Sequence, residues 1–411
     1  MTYESQKTLW QKIPASVWGI GFATLFVNLS SIVIISLWPI YMTEVYGLAT
    51  LKLGVLEGFV EFSSWFTRIF AGVISDYLRK RKPLLLIAYV LMTFSRLIFA
   101  FAPNLFWIYG GRLTDRIANG LQATPREALI GDVAPPELKG TCYGLRQTLS
   151  VAGSLVGAMA TIYIMPLIHN DYQLMFLLTA IPAVLSIIII GFFVKDKASV
   201  EILSKKSFTG TESLILPKKS IWYQLQNTKK LKKPFWLVVM VTAIFMVANY
   251  SVTFSILQAK KVGFETANIP MILILQNLFT MFSAFPMGYL ADKIDRRYLL
   301  AIGFLITIVS NLFYGFATTT MFILIGAALW GIQIGITQSL LLTKIADTTS
   351  DDLRGTGFGI FYLCNGIALF LSNSLTGWLF QEQGPFWAFM CSNVMVALAL
   401  VLLPLLKPIQ K

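Results

Sequence analysis

Long apolar runs separated by short polar turns dominate this chain. Val17 to Tyr41, Leu84 to Ala102, Leu174 to Val194, Phe235 to Leu257, Leu299 to Phe316 and Phe386 to Leu406 pass with almost no ionised residue. Runs of that length cross a hydrocarbon core of about 30 Å as helices, because a helix satisfies its own backbone polar groups. One such run fits the core of a soluble enzyme; this many do not. More polar segments must close the connections between them, giving passes near 17–40, 52–75, 84–102, 104–125, 142–164, 174–194, 235–257, 268–291, 298–316, 320–343, 356–379 and 386–406. The pattern predicts an all-α integral membrane protein with twelve transmembrane helices. The first run is too long for the apolar region of a cleavable signal and lacks a small-residue cleavage site, so it is expected to remain as the first helix.

Composition sharpens this picture. Hydrophobic residues make up 56% of the chain and charged residues 13%, against about 25% charge in an average soluble domain. The turns at Arg79 to Lys82, Arg126 to Lys139, Lys293 to Arg297 and Lys344 to Arg354 fall on one side, whereas the turns near Pro103, His169, Thr319 and Glu382 lack Lys and Arg. The positive-inside rule makes the basic side cytoplasmic, with both termini there, in the cytoplasmic (inner) membrane. The net charge of +13 then reflects topology and anionic lipid headgroups rather than nucleic acid. The lysine-rich stretch 195–234 divides six passes from six: an N-terminal bundle over 1–194, a cytoplasmic linker, and a C-terminal bundle over 235–411. Cys142, Cys364 and Cys391 have no metal-like spacing and read as small core residues.

The halves repeat each other. Asp132 to Gly144 contains Leu-Lys139-Gly140-Thr141, and Asp347 to Gly359 contains Leu-Arg354-Gly355-Thr356, 215 residues on. A second pair is Gly72-Val-Ile-Ser-Asp76-Tyr-Leu-Arg79-Lys80-Arg81 and Gly288-Tyr-Leu-Ala-Asp292-Lys293-Ile-Asp295-Arg296-Arg297. These turns, with Arg116-Ile-Ala-Asn119-Gly120 in the fourth pass, resemble the signatures of the major facilitator superfamily of secondary transporters over essentially the full length. The resemblance implies two pseudo-symmetric six-helix bundles that expose a central cavity alternately to each side. It also implies a gating role for Gly72, Asp76, Arg79, Arg81, Gly288, Asp292, Arg296 and Arg297. The family's antiporter motif has a Gly-Pro pair near the fifth helix; Gly153-Ser154-Leu-Val-Gly157 offers glycines without the proline.

The differences between the halves locate the chemistry. At an offset of 215, Arg112 meets Ala327, Asp115 meets Trp330 and Arg116 meets Gly331; at 216, Glu57 meets Leu273 and Glu61 meets Asn277. A charge at mid-membrane costs at least about 2.5 kcal/mol, so this concentration implies a water-lined cavity or mutual pairing. Arg112, Asp115, Arg116 and Asn119 lie within about 100° on one helix face, and Glu57, Glu61, Ser64 and Arg68 share another. Stacked arginines suit carboxylate or phosphate. Arg112 and Arg116, with Arg96 and Asn28, are therefore the expected solute ligands, joined from the second half by Asn249, Gln276, Gln333 and Asn365. The opposed reading is a structural network in which acids neutralise the arginines. Glu57, Glu61 and Asp115 are the candidate proton carriers; His169 falls in an extracytoplasmic turn.

The expectation is proton-coupled transport of a small organic anion, polycarboxylate or siderophore-like, with import preferred over export. Alternatives are proton-driven multidrug or siderophore efflux and a non-transporting membrane sensor or scaffold. The expected partners are a small-molecule solute, protons and membrane lipids, with a functional monomer, no cofactor, no metal and no enzymatic activity.

Overall fold

The computed structural model describes residues 12–78, 81–135, 138–196, 231–291, 294–349 and 354–406. Among these the chain is all-α. The passes are α1 (Ala15–Ile40, prolonged by a π-turn at Tyr41–Val45), α2 (Thr50–Leu78), α3 (Lys82–Phe101), α4 (Leu105–Val133), α5 (Lys139–Leu167) and α6 in two pieces (Tyr172–Leu178 and Ala180–Phe193). They continue as α7 in two pieces (Lys233–Ala248 and Val252–Lys261), α8 (Pro270–Ala291), α9 (Arg296–Gly315), α10 (Thr320–Thr348), α11 (Arg354–Glu382) and α12 (Pro385–Leu402). Ten are long and apolar enough to cross a membrane. The other two, α2 and α4, are as long at 29 residues each but carry the buried charges that lower their hydropathy. Twelve passes with basic turns on one side make this a multi-pass protein of the cytoplasmic (inner) membrane.

Helix packing repeats between the halves. The α3–α4 and α3–α6 pairs recur as α9–α10 and α9–α12. The approach of α5 to α1 recurs as α7 against α11, and that of α4 to α2 as α10 against α8. This is the pseudo-symmetric two-bundle architecture expected from the duplicated turns. By packing, the described residues form two compact units, one drawn from Met1–Ser31, Phe70–Gly157 and Gln173–Lys219, the other from Ile32–Ile69, Ala158–Tyr172 and Ser220–Lys411. The first has a core of Val17, Ile20, Leu85, Met92, Leu129 and Ile190. The second is built on Phe235, Phe245, Phe304, Ile336, Leu340 and Val396. Phe106, Leu167 and Phe192 stand 77–80% exposed, and lipid tails solvate such side chains without cost.

Two passes are broken where the sequence pattern predicts continuous helices. In α6, Pro182 has no N–H to return to Leu178, and the chain re-enters helix at Ala180 after Thr179 folds its hydroxyl onto the Phe176 carbonyl at 2.6 Å. The break in α7 holds neither Gly nor Pro, and distant side chains maintain it. The Ser251 N–H donates to Asn373 Oδ1 of α11 (2.7 Å), the Ser392 hydroxyl of α12 donates to the Ala248 carbonyl (2.6 Å), and Ser251 caps Thr253. Asn249 turns its amide onto the Phe245 carbonyl at 3.1 Å. His169, with φ 54°, sits in the exposed turn after α5.

Lipid removes the usual hydrophobic drive for helices to associate, so close backbone approach matters more. A Cβ at Gly153 would overlap the Leu25 backbone of α1, whereas one at Gly144 on the same helix meets nothing within 4 Å. Gly153→Leu is therefore expected to destabilise the fold by about 1–3 kcal/mol, lowering the melting temperature in detergent by several degrees, while Gly144→Ala melts with the parent. Equal melting of Gly153→Leu and parent would contradict this packing.

Candidate functional site

The charges of α3 and α4 converge on one carboxylate. Asp115, 1% exposed, sits midway along α4. Arg96 Nη1 from α3 donates to Asp115 Oδ1, and Arg116 reaches Oδ2 through Nε at 3.0 Å and Nη2 at 2.8 Å. Arg112 Nη1 lies 3.9 Å from Oδ2, an ion pair beyond hydrogen-bond reach. Arg96 is further held by hydroxyls: Nε donates to Ser30 at 2.8 Å, Nη2 to Ser31 at 2.7 Å and Nη1 to Ser95 at 2.8 Å. Three guanidiniums thus converge on one carboxylate. Arg96, 1% exposed, is fully engaged, while Arg116 at 9% is the least buried of the three. Beside them Asn28 gives its amide to Ser150 of α5, through both the hydroxyl and the carbonyl.

The two glutamates of α2 pack in the other unit. Glu57, 1% exposed, accepts a hydrogen bond from the Ser251 hydroxyl at 3.2 Å, so the carboxylate touches the break in α7. Glu61, one turn on, is half-buried. Of the neutral candidates, Gln333 accepts from the Thr337 hydroxyl at 3.2 Å. Asn365 is completely buried, and its two amide atoms find no hydrogen-bond partner among the described residues; the same holds for Gln276 Nε2. Tyr250, at the α7 break, packs at a tilt against Trp330 with ring centroids 4.7 Å apart and donates to Asn311 Oδ1 at 2.7 Å; Asn311 in turn donates to Ser392 and Asn393.

The duplicated cytoplasmic turns carry matching ion pairs. Arg81, before α3, pairs with Asp132 at the end of α4 (2.8 Å), and Arg296, opening α9, pairs with Asp347 at the end of α10 (2.5 Å). The aspartates are those that open the repeated Asp132 and Asp347 segments, so the two sequence echoes meet in one ion pair in each half. Arg297 pairs with Asp295 (2.7 Å) and donates to the Leu406 carbonyl. Burial pushes the Asp295 carboxyl up, but hydrogen bonds from the Arg297 side chain and backbone outweigh it and hold the group below the usual carboxylate range. Gly72 packs on Thr124 of α4. Arg79, Asp292 and most of the 195–234 linker lie outside the described residues, as do the side chains of Asp76 and Gly288.

Sequence reasoning missed the serine collar of Arg96, because its hydroxyls come from α1 and from the neighbouring position in α3. It also missed Arg146, whose only signal is an arginine two turns inside the otherwise apolar α5. Neither could be placed against a partner without the fold.

Comparison with known proteins accords with this geometry. The chain is 26% identical over 399 residues to an uncharacterized MFS-type transporter of Methanocaldococcus jannaschii, covering 96% of this chain and 95% of that one. It is 23% identical over 404 residues to a benzoate transport protein of Acinetobacter baylyi, covering 88% and 83%. In fold it is similar to a POT family transporter crystallised with 5-aminolevulinic acid, with a TM-score of 0.76 at 13% identity, covering 97% of this chain and 100% of that one. The sequence profile of the Major Facilitator Superfamily matches residues 20–276 and 239–411. With duplicated turns, repeated helix packing and a full-length profile match in agreement, the chain belongs to the Major Facilitator Superfamily of membrane transporters.

Proposed function

We propose that this protein moves a small organic anion across the cytoplasmic membrane together with protons, by alternating access of two bundles (1–194 and 235–411) joined by the 195–234 linker, in the direction of import. The observation that carries the reading is the convergence of three guanidiniums on the buried Asp115 carboxylate. Arg96 is held by Asp115 and its serine collar, Arg116 reaches the same carboxylate at 2.8 Å, and Arg112 stands 3.9 Å from it. Arg112 and Arg116, stacked one turn apart on α4, suit a solute carboxylate, with the bidentate geometry that arginine favours. Further support comes from the benzoate transport protein among the relatives and the POT family transporter crystallised with 5-aminolevulinic acid. Gln276 and Asn365, whose buried amides have atoms lacking partners among the described residues, offer neutral polar groups within their own unit.

Asp115 serves as permanent counter-charge, so proton coupling falls to Glu57 and Glu61. Protonation of Glu57 changes what Ser251 can donate to, which ties the proton to the break between the two pieces of α7. The Arg81–Asp132 and Arg296–Asp347 pairs act as the cytoplasmic latches that the rocking of the bundles strains and re-forms. Efflux of organic cations is the second reading, favoured by the buried Glu57 carboxylate, which a cation would contact directly.

Counterflow in proteoliposomes under an imposed pH gradient separates the readings, comparing benzoate and citrate with lipophilic cations. Arg112→Ala or Arg116→Ala each removes a charged hydrogen bond worth about 1.5–3 kcal/mol, so anion counterflow is expected to fall about tenfold or more. Unchanged anion transport in both variants, or transport of the cations alone, contradicts the assignment. Glu57→Gln is expected to abolish accumulation driven by the pH gradient while preserving exchange at zero gradient. Accumulation at the parental level in both Glu57→Gln and Glu61→Gln would remove these residues from proton coupling.

A further inference from the structure

A second cationic cluster lies in the same unit as Asp115, nearer the cytoplasm. Arg126 of α4 donates to Glu127 Oε1 through Nε at 3.2 Å and Nη2 at 3.0 Å, and to Gln122 Oε1 through Nη1 at 3.2 Å. Arg146 of α5 approaches the same Glu127 oxygen at 3.3 Å. Two guanidiniums therefore share one carboxylate oxygen and keep an excess positive charge. Both arginines are largely buried, at 15% and 14% exposure, whereas Glu127 is turned outward at 38%. One polar atom in the cluster, Arg146 Nε, is buried without a hydrogen-bond partner among the described residues. Fully buried Tyr89 on α3 lies against Thr24, Arg126 and Arg146. An anionic oxygen placed among these groups would accept from the buried Arg146 donor.

The positions agree in depth. Tyr89 and Arg146 each lie seven residues inside the cytoplasmic start of their helices, and Arg126 lies seven residues before the end of α4, about 10 Å at 1.5 Å per residue. Arg116 is ten residues from Arg126, about 15 Å along the same helix axis. The cluster is thus separate from the Asp115 site and stands between it and the cytoplasmic helix ends.

We propose that Arg126, Arg146 and Tyr89 form a second anion-binding station, which holds a soluble carboxylate on the cytoplasmic side of the Asp115 cluster during transfer. The proposal rests on the anionic reading of the solute. It gives the chain two positive stations along α4, so a carboxylate leaving Arg112 and Arg116 meets a new counter-charge before reaching cytoplasmic water.

Phenylglyoxal labelling of the full chain in phosphatidylcholine nanodiscs, read by peptide mass mapping, tests the station on the unmodified protein. Millimolar benzoate or citrate is expected to protect Arg126 and Arg146 severalfold, benzamide to give no protection, and Arg146→Gln to raise the anion concentration needed to protect Arg126 about tenfold, the loss of one charged hydrogen bond. Protection of Arg112 and Arg116 with no change at Arg126 and Arg146 would overturn the station and leave the central site standing. Protection of neither set would overturn both. If phosphatidylglycerol in the nanodisc protects the pair and soluble carboxylates do not, the occupant is a lipid phosphate and the transfer role is overturned.

Discussion

The Asp115 carboxylate is the interaction on which the chemistry of this chain turns. Three arginines within the span of a bilayer are costly alone, and one buried aspartate makes them tolerable by drawing Arg96, Arg112 and Arg116 to a single point. Breaking a buried ion pair by removing one partner typically costs about 3–5 kcal/mol, so this point is fixed as firmly as the apolar core around it. One acid gathers three bases and holds the arginines in place. The same interaction that answers this structural need sets the geometry on which the proposed anion site is built.

The asymmetry between the halves acquires a physical meaning at this site. Where the first half carries Arg116, the second carries Gly331, and there the backbone of α8 at Gln276 comes so close that a Cβ would overlap its carbonyl. The duplicated fold thus uses one helix position in two ways, as a guanidinium paired with Asp115 in α4 and as a close helix contact in α10. Likewise Asp115 is answered by Trp330, whose ring packs against Tyr250. The second half keeps shape and neutral polarity, and charge stays with α3 and α4.

Much of this was legible in the sequence, and the illegible parts share a cause. Apolar runs and basic turns located the passes, because membrane thickness and the positive-inside rule act on local sequence. The helical spacing of Arg112, Asp115 and Arg116 placed them on one face for the same reason. Which bases would meet at Asp115 was not local: Arg96 comes from α3 and its serines partly from α1, so its place in the cluster needed the fold. The α7 break is the clearest case. Asn249, Tyr250 and Ser251 contain no breaker, and the interruption is stabilised by Asn373 and Ser392, more than a hundred residues away in sequence. Glu57 could be read as a buried acid from its apolar surroundings, but its contact with Ser251 across 194 positions could not.

If the arginines gathered at Asp115 bind the solute, they recognise its charge rather than its ring or chain. Isothermal titration of the purified protein with benzoate and with benzamide, which share shape and differ in charge, tests this most directly. The account predicts a binding isotherm for benzoate that Arg116→Ala weakens about tenfold or more, as expected for one charged hydrogen bond, and no detectable heat from benzamide. Equal binding of the two compounds, or benzoate binding unaltered in Arg116→Ala, would contradict it.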